Sequence, residues 1–219
     1  MGCDIHVCIQ RQEPDGIWRE IVWQDEPYKA DPVPDIPVAP ECFDGRNYDL
    51  FAILAGVRNG TGFAGCLTGS RWPSIAPDRD WPDGFNPEAV APHPRYPEEG
   101  PRYVGDHSYT WVTLAELEAF DWSISHTAFG VVPAAVYEQH KTGPPETYCA
   151  ETCGPGIETY EPAAYETAKR NGVLSARPHV RVLWYETAAE ATGWPNEVLP
   201  WLRRLADGRP LRLVLGFDS

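Results

Sequence analysis

Two short clusters hold the side chains best suited to chemistry. Asp4 and His6 stand one residue apart near the start of the chain. In a strand, positions i and i+2 face the same way with Cβ atoms about 7 Å apart. An Asp and a His so placed can share a divalent cation, or work as orienter and base. Cys8 follows on the same face. The second cluster is Gly105-Asp106-His107-Ser108. In a regular strand Asp106 and His107 point to opposite faces, and only a bulge brings both into one pocket. The expected catalytic set is Asp4, His6, Asp106 and His107, with Asp4, His6 and His107 as ligands to a divalent metal. The plainer alternatives are a solvated strand face for the first pair and, for His107, packing beside Tyr109 and Trp111.

Arg46, Arg58 and Arg71 are candidate phosphate clamps, because guanidinium binds phosphate in a two-pronged fork. Arg46 precedes the strongest helix pattern, and helix N-termini favour anions. Arg46 and Arg58, with the rings of Tyr48 and Trp111 for stacking, form the expected substrate-binding set. A salt bridge to one of the many carboxylates is the ordinary alternative for each Arg. Cys149 and Cys153 with His140 supply three candidates where zinc needs four, so the two Cys are read as free thiols. Asp218 closes the last strand. P-loop, dinucleotide-binding, zincin and nucleophile-elbow motifs are absent, which removes those enzyme classes as first choices.

The elements that position these residues can be read from periodicity. Residues 2–11 alternate, with Cys3, Ile5, Val7 and Ile9 on one face and Asp4, His6, Cys8 and Gln10 on the other. That pattern is a half-buried strand. Glu13-Pro14-Asp15-Gly16 turns it into a second strand over 17–23. Residues 26–42 carry five Pro, starting with Pro27, and form an irregular crossing. From Asn47 to Arg58, Leu50, Ile53, Leu54 and Val57 mark an amphipathic helix, with Asp44 as candidate cap and Asn59-Gly60 as its end. Residues 60–102 have almost no periodicity, and irregular loops of this length are often lids or binding loops. Tyr103–Val112 is a strand, and Thr113-Leu-Ala-Glu116 is a capping box opening a helix. After a Pro/Gly-rich loop over 140–161 come a helix (162–170), a strand (180–185), a helix (196–206) and a last strand from Leu211. The expected fold is α+β, one domain over 1–219, with a single mixed or antiparallel sheet, helices on one face and long Pro/Gly-rich loops.

The chain has 219 residues and a formal charge of −14. Such a field repels a phosphate backbone, which argues against general nucleic-acid binding. A small anion remains compatible where a local Arg reverses the sign. No apolar run spans a bilayer, and no leader-like segment opens the chain. The Met-Gly-Cys opening lacks the Ser or Thr that myristoylation wants at position 6. The six Cys are therefore read as reduced, in the cytoplasm, with no membrane partner.

Met1-Gly-Cys-Asp-Ile-His6, Arg46-Asn-Tyr-Asp-Leu-Phe-Ala-Ile-Leu-Ala-Gly-Val-Arg58, Asp106-His-Ser-Tyr-Thr-Trp-Val-Thr-Leu-Ala-Glu-Leu117 and Phe217-Asp218 resemble a family of phage and bacterial proteins. That family brings no assigned activity. The resemblance implies a phage or prophage setting, where small acidic proteins often counter host defence by binding or destroying a nucleotide signal. Asp4-x-His6 is also similar to the Asp-x-His that ends the first strand of calcineurin-like metallophosphoesterases, and Gly105-Asp106-His107 loosely resembles their Gly-Asn-His, with Asp106 in place of Asn; their G-D-x-x-D and G-H-x-H motifs are missing from this chain. Three readings stay open: metal-assisted hydrolysis of a nucleotide-like phosphoester, sequestration of a nucleotide without turnover, and inhibition of a host protein through the Trp-bearing loops.

Overall fold

A computed structural model describes residues 2–25, 32–62, 65–139 and 145–218. His140 and Pro27 lie outside the described residues. The alternation at the start of the chain becomes β1 (Ile5–Gln12), which a tight turn joins to β2 (Trp18–Ile21). The alternation after Leu211 becomes β7 (Leu211–Phe217), which lies between β1 and β3 (His107–Thr113). All pairings in this four-stranded sheet are antiparallel, with Ile5 opposite Phe217 and His6 opposite Gly216.

Three helices cover one face: α1 (Tyr48–Ala55), α2 (Leu114–Ala119) and α6 (Trp194–Ala206). Ile5, Val7, Ile9, Leu213, Leu215 and Phe217 meet Leu50, Phe51, Leu54 and Leu202 in the main core. The cap of α1 is Asn47, not Asp44: its side chain accepts from the Leu50 amide at 3.0 Å. Gly56, in the left-handed conformation, ends the helix before Asn59-Gly60. Thr113 and Glu116 form the expected capping box at α2.

The fold is α+β, but with two sheets rather than one. The second holds β4 (Ser125–Pro133), β6 (Arg177–Thr187) and β5 (Ile157–Tyr160) in the order β4-β6-β5, with β5 parallel to β6. Helices α3 (Ala134–Gln139) and α4 (Pro162–Asn171) pack on it through Tyr137, Tyr165 and Val180. A short α5 (Ala188–Thr192) links β6 to α6. β7 is paired on both edges, and the free edge of β3 is taken by residues 76–80: Asp80 donates its amide to the Tyr109 carbonyl at 3.0 Å, and the Thr110 hydroxyl donates to the Ala76 carbonyl.

The second face of the first sheet is covered over much of its area. Loop residues Trp81, Phe85, Val90 and Val104 fold over it, bury Cys8 and Val214 and partly cover Trp111. Arg212, 5% exposed, lies on the same face. It donates Nε to Gln10 Oε1 at 2.9 Å and stacks over Trp18 at 4.3 Å. The long aperiodic stretch is thus largely a cover over the sheet. No helix among the described residues is long and apolar enough to cross a membrane.

Candidate functional site

One end of the first sheet gathers the polar residues. β1 and β7 run antiparallel, so the start of β1 meets the end of β7, and Asp4 and His6 come beside Asp218. Asp218 Oδ1 accepts the Asp4 amide at 3.0 Å, and Oδ2 lies 3.2 Å from His6 Nε2. An ionised Asp218 is satisfied when His6 carries its hydrogen on Nε2, which leaves Nδ1 as an acceptor. The His6 ring meets Tyr103 edge-on at 4.9 Å. Local desolvation, then the charges of Asp106 and Asp218, hold the Tyr103 phenol above its ordinary pKa.

Gly216 and Gly105 make this crossing feasible. The chain at 104–105 passes directly over β7, and a Cβ on Gly216 would lie 1.9 Å from the Val104 carbonyl oxygen. Gly105 has φ +87°, and a Cβ there would fall 2.5 Å from the Phe217 nitrogen. Only a residue without a side chain fits either place.

His6 lines a cavity of about 380 Å³ whose other walls include Trp23, Asp44, His93, Arg102 and Tyr103. Burial pushes the Asp44 carboxyl up to about 6; nearby Asp25 adds to the shift, and Arg102 and His6 oppose it. Burial lowers the pKa of Arg102 and of His93. The Arg102 guanidinium stacks over the Trp23 ring at 4.7 Å and donates to the Trp23 carbonyl.

The expected residues divide between places. Asp4 is gripped by Arg46, whose Nε and Nη2 donate to its two oxygens at 2.7 Å each. That fork holds the Asp4 carboxyl below its ordinary pKa. Asp106 sits beside Tyr103, on the side of His6. His107 Nε2 lies 3.9 Å from Asp106 Oδ1, but His107 takes no part in the His6–Asp218 pair. β3 has a bulge between His107 and Thr110, with Ser108 at φ 53°, but His107 pairs with Phe217 and stacks on it at 6.4 Å. It therefore faces the helices and, with Arg58 and Ser108, lines a separate cavity of about 440 Å³. Arg58 donates to the carbonyls of Gly62 and Gly2 and lies over the Tyr48 ring at 5.4 Å. Trp111 packs under the covering loop beside Arg79 and Arg212. Cys149 and Cys153 are exposed free thiols. Among the described residues no group of three His, Cys, Asp or Glu side chains has the geometry to hold a metal.

The sequence pattern gives Trp23 to the second strand, Asp44 to a helix cap and Arg102 to an aperiodic loop, so none of the three stands out as a site residue. Sequence reasoning also missed Asp218 as the partner of His6. The parity of the last strand held that signal, since Asp218 follows Gly216 by two. A second polar cluster, at the junction of the sheets, was missed as well. His126, 7% exposed, stacks on Trp72 at 3.9 Å and lies 3.2 Å from Glu186, while Trp72 Nε1 donates to Asp49 at 2.8 Å. Burial lowers the His126 pKa, but Glu186 and the Ser70 carbonyl outweigh it and leave the net value raised.

No protein-family model, curated protein or solved structure matches the chain.

Proposed function

We propose that the protein is a cytoplasmic phosphoester hydrolase acting on a small nucleotide-like ligand in the cavity beside His6. The observation that carries this reading is the His6–Asp218 pair, 3.2 Å apart, with His6 on the wall of a cavity of about 380 Å³. Asp218 fixes the imidazole, and Nδ1 takes a proton from water as the water oxygen attacks phosphorus. The bond from phosphorus to the leaving oxygen breaks. Asp44, whose pKa of about 6 keeps a fraction protonated near neutrality, returns a proton to that oxygen. Tyr103, an exposed ring on the cavity wall, offers a face for a base or sugar.

The three metal ligands expected from sequence do not fit a single site. Asp4 spends both oxygens on Arg46, and His107 faces the other side of the sheet. No step is therefore drawn through a metal. The phage setting and the role against host defence rest on the sequence resemblance. Sequestration without turnover is the second reading, favoured by the same aromatic and Arg-bearing walls.

The test is hydrolysis of a panel of linear and cyclic nucleotides, with and without chelator and added divalent cations. His6→Ala and Asp218→Asn should lose turnover by a factor of about 100 or more, since positioned proton transfer supplies roughly 10²–10⁴-fold. Binding without turnover in the wild type would move the assignment to sequestration. Activity that needs metal and survives His6→Ala would sink the acid–base scheme.

A further inference from the structure

Buried N–H donors without an acceptor are rare in folded proteins, and each asks for an explanation. Among the described residues, six buried side-chain polar atoms have no hydrogen-bond partner. Three of them, Trp23 Nε1, Arg102 Nε and Arg95 Nε, belong to one neighbourhood. Trp23 and Arg102 line the cavity beside His6, and Arg95 donates Nη2 to the Asp25 carbonyl at 2.8 Å, with Asp25 on the same wall. Trp23 is 5% exposed, and its indole N–H meets no acceptor of the protein. All three orphans are donors. The missing partner is therefore an acceptor.

We infer that this wall is the seat for the anionic group of the ligand, with Arg102 and the Trp23 indole N–H as its donors and a phosphate ester as its occupant. The inference rests on the reading of this cavity as the active site, and it moves phosphate recognition from Arg46 and Arg58 to Arg102. The guanidinium is already aligned, stacked over the Trp23 ring and tied by one nitrogen to the Trp23 carbonyl. A fixed fork loses little freedom on binding.

The acidic lining narrows the ligand further. Asp25, Asp44 and Glu99 share the cavity with Arg102. They oppose a bare inorganic anion, whose whole surface is negative, and accept hydroxyl or amino donors. A ligand carrying one phosphate and a donor-rich body, a sugar phosphate or nucleotide, satisfies both sets. Free inorganic phosphate satisfies only one.

Calorimetric titration of the full chain with AMP, ribose 5-phosphate, inorganic phosphate, adenosine and ribose tests this. The two esters should bind. Adenosine and ribose should bind at least tenfold more weakly than their phosphorylated counterparts, and inorganic phosphate more weakly than either ester. Arg102→Gln should weaken ester binding at least tenfold, whereas Asp218→Asn should leave it within about twofold while abolishing turnover. A second readout needs no altered binding site. In protein labelled with ¹⁵N-Trp, the Trp23 indole resonance, assigned by its absence in Trp23→Phe, should shift at saturation with AMP. Equal binding of adenosine and AMP, full binding by Arg102→Gln, an unmoved Trp23 resonance, or no binding of either ester would each overturn the seat. Ester binding without turnover would instead sink the hydrolase and leave the seat standing.

Discussion

Asp44→Asn is the most informative single substitution. The carboxyl rises from 3.8 to about 6 in the folded chain, chiefly through burial. A shift of about 2 units at roughly 1.4 kcal/mol each sets a ceiling near 3 kcal/mol. Between the two values the folded state holds more protons than the unfolded one, so stability falls as pH rises through that window. Above about pH 6 the wild type carries the whole penalty of a buried charge, and below about pH 4 it carries none. Asn keeps the shape and removes the charge. The variant should therefore be more stable than wild type by about 1–3 kcal/mol at about pH 7.5, and equal or weaker at about pH 4. In melting temperature that gain is roughly 2–4 °C per kcal/mol for a chain of this size. Urea unfolding at the two pH values, with the slope m unchanged, measures it. The same variant should lose turnover, because the stabilised cavity no longer holds a proton donor. An equal change in stability at both pH values, or a loss at the higher one, would refute the reasoning.

Three further outcomes are expected. Glu186→Gln should cost more stability at about pH 5.5 than at about pH 9, because a raised His126 pKa stabilises below the unfolded value and the contribution fades as pH rises through the folded one; paired denaturation curves would show it. Gly216→Ala should cost roughly 1–3 kcal/mol, since its Cβ would strike the Val104 carbonyl and the chain at 104–105 would have to lift off β7; thermal unfolding measures the loss, and wild-type stability would show that the crossing is loosely held. Cys149 and Cys153 should react quickly with a thiol reagent, while Cys3 and Cys8 react only on unfolding, as their burial dictates; mass spectrometry of the labelled peptides reads this out.

Much of the first sheet was legible because its strands alternate strictly. Ile5-Val7-Ile9 and Leu211-Leu213-Leu215-Phe217 announce both their form and their buried face. The alternate face misled, since Cys8 and Gln10 looked solvated and are covered by loop residues that have no period of their own. β4 went unread because Ser-His-Thr-Ala-Phe-Gly shows neither alternation nor a helical stripe. The capping box Thr187-Ala-Ala-Glu190 was as plain as the one at Thr113, and it would have marked the end of β6. At the site, residue parity put His6 on the polar face of β1, whereas Asp106 and His107, on opposite faces by parity, bring Oδ1 and Nε2 to within 3.9 Å of each other. Trp23, Asp44 and Arg102 meet only through the path of the loops, which short-range pattern does not encode.

The pairing of β1 with β7 also has a kinetic side. His6 and Asp218 are 212 positions apart, and Ile5 pairs with Phe217 over the same span. Closing such a loop costs about 3 kcal/mol more in chain entropy than closing one of about ten residues. A ribosome adding about 5–20 residues per second would leave β1 waiting on the order of ten seconds or more for its neighbour. Through that interval Ile5, Val7 and Ile9 have no sheet partner on the β7 side. The His6–Asp218 pair can close only after the central strand has been made and docked. A chain cut before Leu211 would have neither the strand that joins β1 to β3 nor the carboxylate that lies against His6.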